Sequence, residues 1–347
     1  MPEDDAGAHH PRPRVLALPD KFRGTGTAAE IGAAIAGAAA EAGWDCDVLP
    51  ISDGGEGLLE CFGGANRVTA VSGPLGDPVR ASWRLDRTRA VIEMAAASGL
   101  ALTRGRNDAV AASTRGTGQL VAAAVDAGAT SVIVGVGGSA STDGGSGAVE
   151  VLAARGPLDG SLGADVVVAA DVRTYFLDAA RVFGRQKGAD DAQVASLTAR
   201  LQDQAAGYLA RYGVDVRTLP GGGAAGGLAG GLAALGARIR PGFALVAEHL
   251  DLAARIAAAD LVLTGEGRLD ETSLLGKAPV EVVRLCRRSH TPVAMIVGEV
   301  APGVRPPAHT VSLVEHVGPV AAWEHTLDGV RNAAAKLLDD YAPVAYC

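Results

Sequence analysis

Aromatic residues make up only 4 % of this 347-residue sequence, and its formal charge is −8. A protein that tracks nucleic acid needs a basic stripe against the phosphates, so the charge argues against nucleic acid as the main partner. There are four cysteines, Cys46, Cys61, Cys286 and Cys347, with no C-x-x-C pair among them. Neither a zinc site nor a disulfide framework is indicated, and they read as reduced thiols. No apolar run is long enough to span a bilayer, because charges or glycines interrupt each one, so no membrane partner is expected. The seven histidines show no ligand spacing, and none is assigned to metal or catalysis. The phosphate-loop pattern G-x-x-x-x-G-K-[ST] is also missing. Residues 1–14, MPEDDAGAHHPRPR, lack the apolar core of a signal peptide and read as a flexible tail. A cytoplasmic protein is the expectation.

What is abundant is small and aliphatic. Hydrophobic residues reach 48 %, carried by Ala, Val and Leu, and there are 47 glycines. That composition belongs to an α/β protein with many tight turns and backbone-lined sites. The length suits two domains, each with its own core, and two domains invite a cleft.

Strand, polar loop and helix alternate at both ends. Val15–Leu18 reads as a strand, followed by a polar loop and an alanine-rich helix to about Gly43; Asp47–Ile51 reads as a second strand. From Arg67 to Leu102 the pattern changes to short period-two runs separated by Gly-Pro turns, which predicts antiparallel strands. The last third returns to βαβα alternation. These readings predict an α/β fold of two domains: a doubly wound, flavodoxin- or Rossmann-like domain made from both chain ends (15–65 and 255–347), and an inserted second α/β domain (66–254).

The richest stretch is Leu261–Lys277, LVLTGEGRLDETSLLGK. A buried-strand pattern ending at Thr264 runs into Gly265 and Gly267, expected to end the strand and to place Glu266, Arg268, Asp270 and Lys277 at the carboxyl edge of a sheet, where open α/β sheets bind ligands. Thr272 or Ser273 would cap a following helix, and its amino terminus with Arg268 and Lys277 would suit a phosphate. The plainer alternative is an ordinary loop with solvated charges. Other loops share the character. Asp20, Lys21 and Arg23 follow the first strand near a helix start and suit an anionic ligand. Asp53 and Glu56 sit among glycines (Gly54, Gly55, Gly57), where they would hold Mg²⁺ or simply cap a helix. Gly137-Gly138-Ser139 through Asp143-Gly144-Gly145 offers successive amides as an anion nest. Gly24-x-Gly26-x-x-Ala29 loosely matches a dinucleotide fingerprint, but five residues separate it from its strand; an NAD-dependent oxidoreductase therefore rests on that pattern alone.

Taken in order, these loops resemble the bacterial glycerate kinases, which make 2-phosphoglycerate from D-glycerate and ATP. The similarity is collinear from Leu18 to about Val300. It is carried by Ser52-Asp53-Gly54-Gly55-Glu56-Gly57, Gly73-Pro74-Leu75-Gly76, Ile92-Glu93-Met94-Ala95 with Ser98-Gly99-Leu100, Gly137-Gly138-Ser139-Ala140 with Asp143-Gly144-Gly145, Phe183-Gly184 with Gln186-Lys187-Gly188-Ala189, and Thr264–Asp270 with Gly276-Lys277. The chain departs from the family's usual pattern at Lys21-Phe22-Arg23, at Arg173–Phe176, at Thr142 and in a shortened segment from Arg155 to Ala164. The resemblance implies a flavodoxin-like domain plus a second α/β domain, with the active-site cleft between them.

The resemblance implies phosphoryl transfer from ATP to glycerate with Mg²⁺. Such a reaction needs cations on the phosphates, carboxylates for Mg²⁺, and a carboxylate facing the attacking hydroxyl. Asp270, Lys277, Arg268 and Asp20 are the catalytic candidates, with Asp270 as base or metal ligand. Lys21, Arg23, Asp53, Gly54, Gly55, Ser139, Asp143 and Lys187 are candidates for substrate or phosphate. Gly137, Gly138, Gly265, Glu266 and Gly267 are candidates for the nucleotide, and Asp53 and Glu266 for Mg²⁺. Competing readings are a kinase for a related hydroxy acid, or a silent binding or regulatory member of the family. A homodimer is compatible with the sequence.

Overall fold

The computed structural model describes residues 12–22 and 24–341; most of the expected tail, and Arg23 and Cys347, lie outside them. Among the described residues eleven strands form: β1 (Arg14–Pro19), β2 (Asp45–Val48), β3 (Arg67–Ser72), β4 (Pro78–Asp86), β5 (Arg89–Glu93), β6 (Ser131–Gly135), β7 (Asp165–Ala169), β8 (Arg238–Arg240), β9 (Leu261–Leu269), β10 (Val293–Val300) and β11 (His309–Ser312). They divide into two sheets, one in each of two compact units.

The first unit comprises Met1–Ile51 and Asp251–Cys347. Its sheet is parallel throughout, in the order β11-β10-β9-β1-β2. Numbered within the unit this is 2-1-3-4-5, the flavodoxin order, in which the chain reverses direction between β1 and β9. Both faces are covered. On one, Ile31 and Ile35 from the helix Ala28–Glu41 and Val330, Ala333 and Leu337 from the helix Thr326–Asp340 pack on Val15, Ala17, Leu261, Leu263 and Ile296. On the other, Val280 and Val283 from the helix Ala278–Ser289 meet Leu269, Met295 and Val297. Burial on both faces is why these strands read as continuous apolar runs.

The second unit is continuous, Ser52–Leu250. Its sheet runs β3-β4-β5-β6-β7-β8, antiparallel from β3 to β5 and parallel from β5 to β8. The period-two stretch supplies the antiparallel edge.

Two expectations need correction. The division falls after Ile51, not near residue 65, because Leu58, Leu59 and Phe62 bury themselves against Val91, Ile133 and Val167 of the second sheet. At the other junction it falls after Leu250, and Ile256 accepts a hydrogen bond from Thr291 Oγ1 at 3.0 Å. The glycines after Thr264 do not end their strand. β9 runs on to Leu269, paired with β10 as far as Leu269 opposite Val300. Gly265 is needed for that pairing, since a Cβ there would lie 1.7 Å from the carbonyl oxygen of Ile296.

Candidate active site

In the first unit β1 stops pairing with β9 at Pro19 opposite Gly265, whereas β9 and β10 continue together for four more residues. The edge of Glu266–Leu269 that faces away from β10 is thereby left beyond the end of β1, at the carboxyl end of the strand pair where the order reverses. Such a switch point is where open α/β sheets bind their ligands. The chain leaving β1 is tied to it, with the Asp20 amide donating to Gly265 O at 3.0 Å and the Lys21 amide to Asp20 Oδ1 at 2.7 Å. The sequence-derived residues Asp20, Lys21, Gly265, Glu266, Gly267, Arg268, Asp270 and Lys277 all belong to this unit.

Glu266 is the buried member. Its carboxylate is 6 % exposed and accepts from Lys277 Nζ at 3.1 Å through Oε2, while Oε1 is buried with no partner. Burial pushes its carboxyl above the ordinary range, and the Lys277 ammonium opposes that rise. Lys277 Nζ also donates to Ser273 Oγ at 3.1 Å. Two of the three ammonium donors are thus fixed from below, and the side chain remains 33 % exposed. Lys277 stands immediately before the helix Ala278–Ser289, so its charge adds to that of the helix amino terminus.

Asp270 caps the short helix Glu271–Leu274. Its Oδ1 accepts from Thr272 Oγ1 at 2.5 Å and from the Ser273 amide at 3.0 Å, while Ser273 Oγ receives the Asp270 amide in return. The Thr272 hydroxyl, followed by the Ser273 amide, holds the Asp270 carboxyl below the usual carboxylate range. Every hydrogen bond it accepts falls on Oδ1. The group is an ionised carboxylate with its second oxygen unpartnered among the described residues, which suits a cation better than proton storage. Arg268 is exposed and pairs at 3.8 Å with Glu299 at the end of β10. Glu299 escaped the sequence reading, although Gly298-Glu299 repeats the glycine-then-acid pattern of Gly265-Glu266.

The second unit holds the remaining candidates. Asp53 Oδ1 accepts the Gly55 amide at 3.2 Å in a tight turn. Gly54 has φ 90, and a Cβ on it would lie 2.7 Å from Gly242 Cα, so backbone packs on backbone without side chains. The short helix that follows is capped by Glu93, whose Oε1 accepts the amides of Gly57 and Leu59, each at 2.9 Å. In the loop after β6, Gly138 is exposed and Ser139 through Gly145 are buried. Asp143 and Lys187, expected at a ligand, are turned inward. The Asp143 carboxylate is filled by Thr114 N and Oγ1 at 2.8 and 2.9 Å and by the amides of Gly145 and Gly147 at 3.1 and 3.3 Å. Lys187 is 1 % exposed and donates to the Ser141 carbonyl at 2.5 Å, and desolvation lowers its ammonium to about 7.

Among the described residues no three His, Cys, Asp or Glu side chains converge as a metal cluster. Mg²⁺ does not require one, because it keeps several waters and is held by one or two carboxylates together with substrate phosphates. Asp270 fits that role. Glu266 is the weaker fit, since its Oε2 is engaged by an ammonium and only its buried Oε1 is without a partner. A cavity of about 200 Å³ lies at the opposite edge of the first sheet, lined by Arg14, Asp47 and Ala258 at the amino end of β1, away from this chemistry.

The described helices include none long and apolar enough to cross a membrane. The family model of the glycerate kinases matches residues 15–161 and 156–345. The glycerate 2-kinase of Escherichia coli K12 is 37 % identical, covering 96 % of this chain and 94 % of the relative. The glycerate kinase of Halalkalibacterium halodurans is 35 % identical, covering 93 % and 91 %. A crystal structure from Salmonella typhimurium LT2, described as a candidate glycerate kinase 2, superposes with a TM-score of 0.77 at 34 % identity, covering 95 % of this chain and 99 % of that one. With the fold and these relatives in agreement, the chain belongs to the glycerate kinase family and is a kinase.

Proposed function

We propose that this enzyme transfers the γ-phosphoryl group of ATP to the 2-hydroxyl of D-glycerate, giving 2-phosphoglycerate and ADP, with Mg²⁺ accompanying the nucleotide. The observation that carries the reading is Lys277, whose ammonium is held by buried Glu266 and by Ser273 at the sheet's switch point. A cation fixed in this way serves phosphoryl transfer, where catalysis is almost wholly positioning and charge stabilisation around a loose transition state.

In this reading Lys277 meets the transferring phosphoryl oxygens and Arg268 and Lys21 share their charge. Asp270 is the carboxylate for Mg²⁺, which when bound neutralises charge developing on the phosphates. Asp20 accepts the proton of the attacking hydroxyl, which a loose transition state releases late. The hydroxyl oxygen forms the new bond to phosphorus as the bond to the ADP oxygen breaks, and ADP departs with that electron pair.

The test is ADP release from ATP, Mg²⁺ and D-glycerate, with phosphorus NMR of the product. Turnover with the phosphorus coupled to the C2 proton is expected. A product phosphorylated at C3 would overturn the regiochemistry, and absence of turnover with glycerate would overturn the substrate. Lys21-Phe22 and Arg173–Phe176, which depart from the family's usual residues, motivate a second reading, a kinase for a related hydroxy acid. A substrate panel in which another hydroxy acid exceeds glycerate in kcat/KM would favour it.

A further inference from the structure

Four consecutive carbonyls of the loop after β6 are each capped by a different side chain. Ser141 O receives Lys187 Nζ at 2.5 Å, Thr142 O receives Arg200 Nη2 at 2.6 Å, Asp143 O receives Gln204 Nε2 at 2.7 Å, and Gly144 O receives Tyr208 OH at 2.9 Å. Arg200, Gln204 and Tyr208 are spaced by four on the long helix Asp191–Tyr212, so they line one face. Lys187 lies in the turn before that helix. Loop and helix therefore match rung for rung, one carbonyl per donor.

The match is costly to disturb. A Cβ on Gly144 would stand 2.0 Å from Gln204 Oε1, so the loop backbone lies directly against the rung. Asp143 pins the same loop from its other side through the amides of Thr114, Gly145 and Gly147. Burying a lysine to hold one carbonyl is more than simple packing requires, since an apolar side chain would fill the space without the desolvation. What the ladder leaves outside is the loop's leading end, where Gly138 is exposed with φ 69.

We propose that Lys187, Arg200, Gln204 and Tyr208 are positioning residues for ligand binding: they hold the loop in the register that presents its leading end, Gly137 and Gly138, to an anionic group of a substrate. The inference rests on the kinase reading for the identity of that anion, a carboxylate of glycerate or a phosphate of ATP. None of the four side chains touches the ligand. They act through the backbone, so a lost rung loosens the presented amides.

Gln204→Leu and Tyr208→Phe each remove one rung without adding bulk, and Lys187→Met removes the buried one. For the first two we expect a folded protein, a rise of about tenfold in one KM and a kcat within about threefold of wild type, because the presented donors bind substrate without entering the phosphoryl step. A rise in KM for glycerate identifies the carboxylate, and a rise in KM for ATP the phosphate. Deuterium uptake of residues 137–145 should quicken in both variants while the remainder of the second unit stays protected. Calorimetric titration of ATP and of D-glycerate on the same proteins separates the two claims. A wild type that binds but does not turn over sinks the kinase reading, and the variants' weaker binding still supports the ladder. Variants that lose thermal stability yet keep wild-type affinity for both ligands overturn the ladder, whatever the activity.

Discussion

Glu266→Gln isolates the contribution of one buried charge. The substitution keeps the shape of the side chain and an oxygen able to accept from Lys277 Nζ, now 3.1 Å away. It removes the charge that draws the ammonium inward. A hydrogen bond to a charged partner contributes about 1.5–3 kcal/mol net, but desolvating a nearly buried carboxylate offsets a comparable amount. The two effects oppose each other, so the folded state should change by only about 1 kcal/mol, a shift of roughly 2–4 °C in Tm. Function should change more. With the bond to residue 266 reduced to a neutral acceptor, Lys277 is held less firmly in the orientation that meets the phosphoryl group, and kcat/KM should fall by about 10- to 100-fold, less than the 10²–10³-fold expected for Lys277→Met, which removes the donor outright. Coupled-assay kinetics on both variants, with a thermal melt of each, provide the numbers. A Glu266→Gln enzyme with kcat/KM within twofold of wild type, beside an inactive Lys277→Met, would show that Glu266 does not position the lysine. Wild-type rates in both would remove the switch point of the first unit from the chemistry.

Asp270→Ala should cost about 1 kcal/mol of stability through the lost helix cap, and separately raise the Mg²⁺ concentration required for half-maximal rate; an unchanged Mg²⁺ dependence with turnover within several-fold of wild type would take Asp270 out of the reaction. Lys187 imposes a pH dependence on stability. Its ammonium is lowered from 10.5 to about 7, so between those values the unfolded chain holds a proton that the folded chain has shed, and stability rises with pH by up to about 1.4 kcal/mol per unit. Above about pH 9 the thiols of half-buried Cys46 and buried Cys286, raised to about 11 and about 12, reverse the trend. Urea melts between pH 7 and 8.5 should therefore show a positive slope that Lys187→Met abolishes, and equal slopes in the two proteins would refute the assignment. Gly265→Ala should destabilise by about 3 kcal/mol or more, because its Cβ would collide with backbone that no rotamer change can move; a loss under 1 kcal/mol in a denaturant melt would mean that the strands can part there.

The alternating pattern at both ends of the chain was enough to predict a sheet assembled from distant segments, because inner parallel strands must be apolar on both faces and helices must follow them. The boundary near residue 65 misled for a local reason. Leu58-Leu59 continues naturally from the second βα unit in sequence, and only the packing of those residues on Val91 and Ile133 shows which sheet they cover. Glycine carried the same ambiguity at 265: it reads as a breaker, yet here it admits a close neighbour strand. Charged residues among glycines pointed to Lys277, Glu266 and Asp270, which the fold gathers at one switch point, but periodicity cannot say which way a side chain turns. Asp143 and Lys187 look as ligand-ready in sequence as Asp53 and Lys21, and it is burial that separates them. The i, i+4, i+8 spacing of Arg200, Gln204 and Tyr208 was visible in the helix, but its meaning depended on three carbonyls more than 50 positions away.

β1 sits between β2, its near neighbour in the chain, and β9, whose residues lie 246 positions further on. On the ribosome this separates the two units in time. Everything that the second unit needs is contiguous and available once residue 250 has emerged, whereas β1 must wait, flanked on one side only, until the last third of the chain is made. An exposed apolar strand in a nascent chain is an invitation to mispairing and to chaperones. Refolding of the whole protein should accordingly be slow in the first unit, where the loop to be closed is the entire second unit, and fast in the second. A fragment spanning 52–250 should fold unaided, and a chain stopped at 250 should display β1 as its point of weakness.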